Sequence, residues 1–441
     1  MKYIYGLNKS GKSIIEYLNN VNEDYYCWDD NKKIRKKLKD SYKNINLVRP
    51  KDLNYKLIDE AFITPGVALD DVQLTVIKKN KINLFRDLEL YSRLTKDKKI
   101  IAITGTNGKS TTSKLISEIL TKNKISNFLG GNIGIPLLNY KIKDKKLRYH
   151  VLELSSFQLE SASAFNPFIS ILLNISSDHL DRYKNFAKYA LQKEKIIIAN
   201  KNKFNIIFLG DKRCIELYHK YKEKVIPIAT KPIKNGVYFE DNYIIDNYFK
   251  IKKNVKINNL SPSLFGLFNI ENILSAYVVC RILDVKLENF SNVLTNFVGL
   301  PHRLEKIYEN DSYQIINNSK ATNLHATLKS IENYKNISLI VGGRAKEKQF
   351  KRILDYKKNI NKIYLIGESS LMIFEQLKNK IQCELCNNLD NALNKIFEDM
   401  KLQHNFQTIL FSPACSSFDQ FENFEKRGEY FKEKITDLIY G

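Results

Sequence analysis

Short apolar runs alternate with stretches of helical period along the whole chain. Lys2–Tyr5, Tyr25–Trp28 and Ile58–Ile63 read as strands, with a helix over Ser13–Leu18 between the first two. Ile100–Ile103, Tyr149–Leu154, Ile169–Ile175 and Asn205–Phe208 continue the series, with helices over Ser113–Leu120 and Phe186–Ile198. A last group comprises strands at Tyr313–Ile316, Ile337–Val341, Lys362–Ile366 and Thr408–Phe411. Helices over Asn323–Glu332, Leu371–Lys378 and Ala392–Lys401 separate them. This alternation predicts an α/β protein with mostly parallel sheets. No solenoid repeat or low-complexity linker interrupts it.

A length of 441 residues allows two to four domains with ample core volume. The pattern divides at about residue 92 and again at about 298. The formal charge of +23 raises nucleic-acid binding as a possibility. The lysines are spread throughout, however, alongside frequent Asn, Ile and Tyr, which points to compositional bias. Runs such as Lys32-Lys33-Ile34-Arg35-Lys36-Lys37 read as solvated helix faces, and a basic surface favours a phosphate-bearing substrate. The six cysteines are scattered, and Cys383 and Cys386 form one CxxC without a second pair, which argues against zinc and for reduced thiols. With no signal-type h-region after Met1 and no run long and apolar enough to span a bilayer, a soluble cytoplasmic protein is expected.

The most specific chemistry lies in Gly105-Thr106-Asn107-Gly108-Lys109-Ser110-Thr111, which follows the strand Ile100–Ile103 and precedes a helix. Glycines turn backbone N–H groups toward an anion, the helix start adds partial positive charge, Lys109 reaches terminal phosphates and Ser110 can ligate Mg²⁺. The usual pattern has about four residues between its glycines; here there are two.

Other candidates sit where strands end. Glu153 lies in an apolar strand, where a carboxylate is costly unless it meets a metal or a lysine. Asp178, His179 and Asp181 follow the run Ile169–Ile175; they suit a hard cation or phosphate, although a lone His is more often structural. Nothing intrinsic separates Lys193 from Lys188 or Lys195. Asn269 and Asn272 open a helix and fit an adenine edge or an ordinary helix start equally well. Asp29-Asp30, after the strand Tyr25–Trp28, stand where a ribose could bind, but the first loop lacks GxGxxG. Lys320 stands at a helix start after Asn317-Asn318-Ser319. Gly342–Lys346 and Ser412–Phe418 are further strand-end loops carrying hydroxyls and cations, suited to a carboxylate substrate. Cys415 has no adjacent His and reads as packing.

Taken together, Gly105–Thr111, Gly131-Asn132-Ile133-Gly134, Leu154–Glu160, Asp178-His179, Leu300-Pro301-His302-Arg303 and Ser319-Lys320-Ala321-Thr322-Asn323 resemble the Mur ligases, ATP-dependent enzymes that build the peptide of bacterial cell-wall precursors. The run Ser412–Phe421 looks most like the branch that adds D-glutamate to UDP-N-acetylmuramoyl-L-alanine. The resemblance implies three domains: a Rossmann-like UDP-sugar domain over 1–92, a P-loop ATPase-like domain over 93–298 and a Rossmann-like amino-acid domain over 299–441. It implies ATP and Mg²⁺, with Ser110, Glu153, His179 and a carbamylated Lys193 around the metal and Lys109 on the transferred phosphoryl group. ATP would also meet Asn269, Asn272, Arg303 and Asn318. Substrate contacts would come from Ser10, Asp29, Asp30, Thr64, Asn132 and Ser155, and on the D-glutamate side from Lys320, Thr322, Lys346, Ser417, Phe418 and Phe424. Asn318 stands where the family pattern has Asp, Phe268 replaces a common His, and Arg344-Ala345 alters the loop before Lys346. A monomer is expected, without nucleic-acid or membrane partners. Two other readings are a second ligase, either another amino-acid-adding Mur enzyme or a folylpolyglutamate synthetase, and a P-loop NTPase acting on nucleic acid.

Overall fold

Strands that are apolar on both sides must be covered on both faces, and three such sheets organise the computed structural model. It describes the chain except residues 43, 139–143, 162, 200–203, 250–252, 265, 267–268, 402–405 and 441. Phe268 and the Asp181 side chain therefore lie outside the described residues. By its internal contacts the chain forms two compact units. The first comprises Met1–Ser177, Arg182–Asn258 and Ile270–Val293; the second comprises Asp178–Asp181, Asn259–Asn269 and Leu294–Gly441.

The first unit holds two sheets. Strands β1 (Lys2–Tyr5), β2 (Tyr25–Trp28), β3 (Glu60–Ile63) and β4 (Asn83–Phe85) form a parallel sheet in the order β2-β1-β3-β4. The larger sheet uses β5 (Lys99–Thr104), β6 (Asn127–Gly131), β7 (Tyr149–Glu153), β8 (Ile169–Leu172), β9 (Phe204–Phe208), β10 (Val225–Ala229), β11 (Val237–Glu240), β12 (Tyr243–Asp246) and β13 (Lys253–Lys256). Its order is β13-β12-β11-β10-β9-β8-β5-β7-β6, parallel from β6 to β11 and antiparallel through β12 and β13. The chain passes from β5 to the edge strand β6, returns to β7 between them, then crosses to β8 on the other side of β5. Loops leaving β5 and β8 thus diverge, which is where α/β sheets open a crevice.

The second unit holds β14 (Glu305–Glu309), β15 (Tyr313–Asn317), β16 (Ile337–Gly342), β17 (Ile360–Ile366), β18 (Cys383–Asn387) and β19 (Gln407–Phe411). Their order is β14-β15-β19-β16-β17-β18, parallel except for the β14 edge. Alternate residues serve opposite faces: Ile316, Leu339, Val341, Ile363, Leu365 and Leu410 pack in one core, and Ile315, Ile340, Tyr364, Ile366, Ile409 and Phe411 in the other. Among the described residues no helix is long and apolar enough to cross a membrane.

The expected strands are all present, with shifted ends. The run Ile169–Ile175 stops as a strand at Leu172, and the helix expected from Ser113 begins at Lys109.

Candidate functional site

The phosphate-type loop leaves the buried strand β5 and becomes the helix Lys109–Lys122 through Gly108, whose φ of +84° only glycine adopts cheaply. A Cβ there would also come within 2.5 Å of Asn272 Oδ1. The loop is pinned from outside. Asn174 accepts from Thr106 N (2.9 Å) and Asn107 N (2.9 Å), and its amide donates to Asn107 O (3.1 Å) and Glu271 Oε1 (2.7 Å). That explains why the apolar run ends early as a strand: Asn174 is spent on the loop.

Two lysines converge on the first residue of this loop. Lys109 Nζ donates to Gly105 O (2.9 Å) and Thr106 O (2.8 Å). Lys193 Nζ, on the helix Phe186–Ala199, donates to Gly105 O (2.7 Å) although only 2% of the residue is exposed. Lys188 is exposed, and Lys195 Nζ donates to Glu160 O at 2.6 Å. The three lysines are therefore distinguished by their surroundings, and only Lys193 reaches the loop. Two cations beside backbone N–H groups at a helix start make a site for an anion. Ser110 and Thr111 are buried on the first turn of that helix.

Glu153 ends β7, beside Gly131 of β6 and Ile103 of β5. Its carboxylate is buried, and Oε1 accepts from Asn132 Nδ2 at 2.7 Å. Gly131, with φ +106°, lets the backbone pass here; a Cβ would lie 2.3 Å from Glu153 O. Glu153 and Asn132 thus stand at neighbouring strand ends of the sheet whose β5 loop receives the two lysines from their helices. Asn272 is buried against Thr112, whose hydroxyl donates to its Oδ1 at 2.8 Å. In the other unit, Asn269 donates to Ser263 O at 3.3 Å.

The candidates on the first sheet are divided. Asp29 accepts from Leu7 N (2.7 Å) and Asn31 N (2.8 Å), so it shapes the loop after β1. Asp30 accepts from Tyr5 OH (2.6 Å) and Trp28 Nε1 (3.0 Å). Thr64 is buried, and Ser10 neighbours the buried Asp87, whose carboxyl is pushed up chiefly by burial. Ser155 donates to Gln158 Oε1 from both N and Oγ at 3.1 Å, closing the turn after β7.

In the second unit, Asp178 meets Lys346 Nζ at 3.3 Å. His179 follows with φ +52°; its N–H donates to Asp178 Oδ1 (2.9 Å), and its ring Nε2 lies 3.6 Å from Oδ2. Asn318 is built into the joint between β15 and β19: it donates to Ser412 Oγ (3.0 Å) and accepts from Leu304 N (3.3 Å). The Lys320 ammonium stands 3.7 Å over the Phe424 ring, bringing two candidates together. Thr322 N donates to Lys320 O at 2.9 Å, and Arg303 N to Leu300 O at 3.2 Å. Ser417 is buried, its carbonyl accepting from Gln420 N and Phe421 N, whereas Phe418 is 62% exposed.

Arg427 escaped the sequence reading. It is buried, donating to Ser319 Oγ (3.1 Å), Ser319 O (2.8 Å) and Cys415 O (3.1 Å), and burial draws its pKa down to about 10. The signal was available, since Arg427 shares a helical stripe with Phe431 and Ile435. Cys415 is fully buried and burial raises its thiol to about 11, which suits packing and not nucleophilic attack. Among the described residues no group of three or more His, Cys, Asp or Glu is set to hold a metal by itself.

A family model described as "Mur ligase middle domain" matches residues 103–280. The UDP-N-acetylmuramoylalanine–D-glutamate ligase of Rickettsia bellii is 34% identical over 435 residues, covering 97% of this chain and 95% of that protein. The enzyme of the same name from Clostridioides difficile is 34% identical over 450 residues, covering 99% and 98%. Among solved structures, a UDP-N-acetylmuramate–alanine ligase from Thermotoga maritima matches with TM-score 0.60 and 16% identity over 99% of both chains. A MurF ligase from the same organism, in complex with ADP, matches with TM-score 0.61 and 16% identity over 94% of this chain and 96% of that one. These two likenesses carry the fold.

Proposed function

The chain belongs to the Mur ligase family, and on that premise we propose that it joins D-glutamate to UDP-N-acetylmuramoyl-L-alanine at the expense of ATP, in peptidoglycan precursor synthesis. The observation that carries the reading is the pair Lys109 and Lys193 on the Gly105 carbonyl, beside Glu153, in a chain alike over nearly its whole length to ligases of that name.

In this reading the alanyl carboxylate attacks the γ-phosphorus of ATP. An O–P bond forms, the bond to the β,γ-bridging oxygen breaks, and ADP leaves. The D-glutamate amine then adds to the acyl-phosphate carbonyl; loss of a proton and of phosphate leaves the amide. No protein nucleophile is required, which agrees with the buried state of Cys415. Lys109 exchanges its two carbonyl acceptors for phosphate oxygens and offsets the charge of the transferring group. Gly105–Thr111 cradles the phosphates, with Asn269, Asn272, Arg303 and Asn318 assigned to the rest of ATP.

Mg²⁺ suits hard oxygen donors and keeps part of its shell for waters and phosphates, so the Ser110 hydroxyl and the buried Glu153 carboxylate fit it without a full protein cage. When bound it neutralises phosphate charge as a Lewis acid. His179 and Lys193 are assigned to the same task by family resemblance. Carbamylation of Lys193 would leave one N–H on Nζ to keep its bond to Gly105 O and would add two oxygens sharing one negative charge. The segments 1–92, 93–298 and 299–441 are taken as the UDP-sugar, ATP and amino-acid domains of a cytoplasmic monomer. Ser10, Asp29, Asp30, Thr64, Asn132 and Ser155 are assigned to the nucleotide sugar, and Lys320, Thr322, Lys346, Ser417, Phe418 and Phe424 to D-glutamate. The test is ADP release in the presence of both acceptors, with each amino acid and nucleotide sugar exchanged in turn. Release with L-glutamate, diaminopimelate or a folate in place of the named pair would move the chain to another ligase.

A further inference from the structure

The most deeply buried cation of the first unit takes no part in the reading above. Arg86 has no solvent exposure, and one of its nitrogens donates to the carbonyls of Ile63 (3.0 Å), Thr64 (2.7 Å) and Val67 (2.9 Å). Its other terminal nitrogen is paired with Glu160 Oε2. Arg182 approaches the same carboxylate oxygen at 3.2 Å and donates to Pro65 O (2.8 Å) and Val67 O (2.9 Å). Two guanidiniums therefore bind four carbonyls of one turn that leaves β3, those of Ile63, Thr64, Pro65 and Val67, and one carboxylate holds both.

The carboxylate belongs to the other sheet. Glu160 closes the segment Ser155–Glu160 that follows β7 and Glu153. The next residue after Arg86 repeats the connection: buried Asp87 has Ser10, in the first turn of the helix Lys9–Asn20 that follows β1, and Gln158 of that segment as side-chain partners. Both loops at the crossover point of the first sheet are thus tied to the turn beside the phosphate loop. A buried guanidinium is costly unless paired; both terminal nitrogens of Arg86 are paired, though its Nε is not, so this cluster is a built feature and not a surface accident.

We propose that Arg86, Glu160 and Arg182 are positioning residues for the nucleotide-sugar substrate: they form the Ile63–Val67 turn and fix it to the sheet that carries the phosphate loop. This rests on the reading of Thr64 as part of the nucleotide-sugar site. The three residues act through the turn's backbone and touch no substrate.

The test uses the full chain with Glu160→Gln, which keeps the shape and removes the charge, and Arg86→Lys, which keeps the charge and removes the fork. Amide exchange of residues 63–68 should rise at least about tenfold in Glu160→Gln, with exchange in β5 unchanged. KM for UDP-N-acetylmuramoyl-L-alanine should rise about tenfold, KM for ATP should stay within about twofold, and kcat should change less than KM. Binding of UDP by calorimetry reads the same effect without turnover, so a wild type silent in the ligase assay sinks the ligase reading and leaves the clamp to be decided by exchange and UDP binding. If Glu160→Gln does not fold, Arg182→Lys carries the same measurements. Unchanged exchange at 63–68 in these variants would overturn the clamp. Raised exchange with unchanged KM and unchanged UDP affinity would overturn its role in positioning substrate, as would a loss of activity equal for all substrates.

Discussion

The phosphate edge of the nine-stranded sheet and the strand-end loops of the six-stranded sheet share a plan: buried parallel strands deliver polar residues to a crossover point. They are filled with different chemistry. At the first, full charges are wholly or partly buried: Glu153 on the Asn132 amide, and Lys109 and Lys193 on the Gly105 carbonyl. At the second, the strand ends carry amides and hydroxyls, with Asn318 on Ser412 and Thr327 on the Ser412 carbonyl. Its buried cation, Arg427, is consumed by carbonyls and a hydroxyl. Charges held ready beside a loop of N–H groups suit phosphoryl transfer, whereas a neutral lattice suits holding a substrate in place.

Removing a charge from the first edge should therefore cost most. Lys109→Ala is expected to lower ADP formation about a thousandfold while leaving the circular dichroism spectrum unchanged; unchanged turnover would break the contrast. A second effect sharpens it within one strand. His150, three residues before Glu153 in β7, is wholly buried and burial pulls its pKa down to about 4. Its unfolded value is about 6.5, so below that pH the unfolded chain binds the extra proton and the folded one does not. Stability is therefore complete above about pH 6.5 and falls by about 3 kcal/mol as pH drops toward 4. Denaturant titrations of wild type and His150→Phe should diverge over that window; parallel curves would contradict the assignment.

Lys193→Ala should reduce turnover about a hundredfold, with partial recovery on adding a small carboxylate if the working group is a carbamate. Full activity in the mutant would remove Lys193 from the site. The smallest effect is expected where charge is introduced into the neutral lattice. In Asn318→Asp the new carboxylate still accepts from Leu304 N, and the bond to Ser412 reverses, the hydroxyl donating where it had accepted from the amide, so folding should change by less than about 1 kcal/mol. KM for ATP should move about threefold, downward if the family's acidic contact to the nucleotide is regained. A large loss of stability would show the amide lattice to be less tolerant than described.

The strand, loop and helix around Lys109 were legible because every local signal agreed: an apolar run, paired glycines and a helical pattern. The continuous apolar strands of the six-stranded sheet were legible for the same reason. The ribbon β11–β13 was not, because Glu240, Asp246, Lys253 and Lys256 break any apolar run, and its strands are held by antiparallel pairing. Helix onset at Lys109 was missed by four residues because Gly108, in a left-handed turn, starts the helix without a capping side chain. Family resemblance alone singled out Lys193; a physical reason to prefer it to Lys188 and Lys195 needed the packing of its helix, which brings Nζ to Gly105 O. Arg86 and Arg427 were not singled out, because a sequence does not show which carbonyls will surround them.

Steady-state ADP release with ATP, Mg²⁺, UDP-N-acetylmuramoyl-L-alanine and D-glutamate tests the central claim most directly. The account predicts release that requires both the nucleotide sugar and D-glutamate and is abolished in Lys109→Ala. Release indifferent to both, or raised by polynucleotide instead, would contradict it.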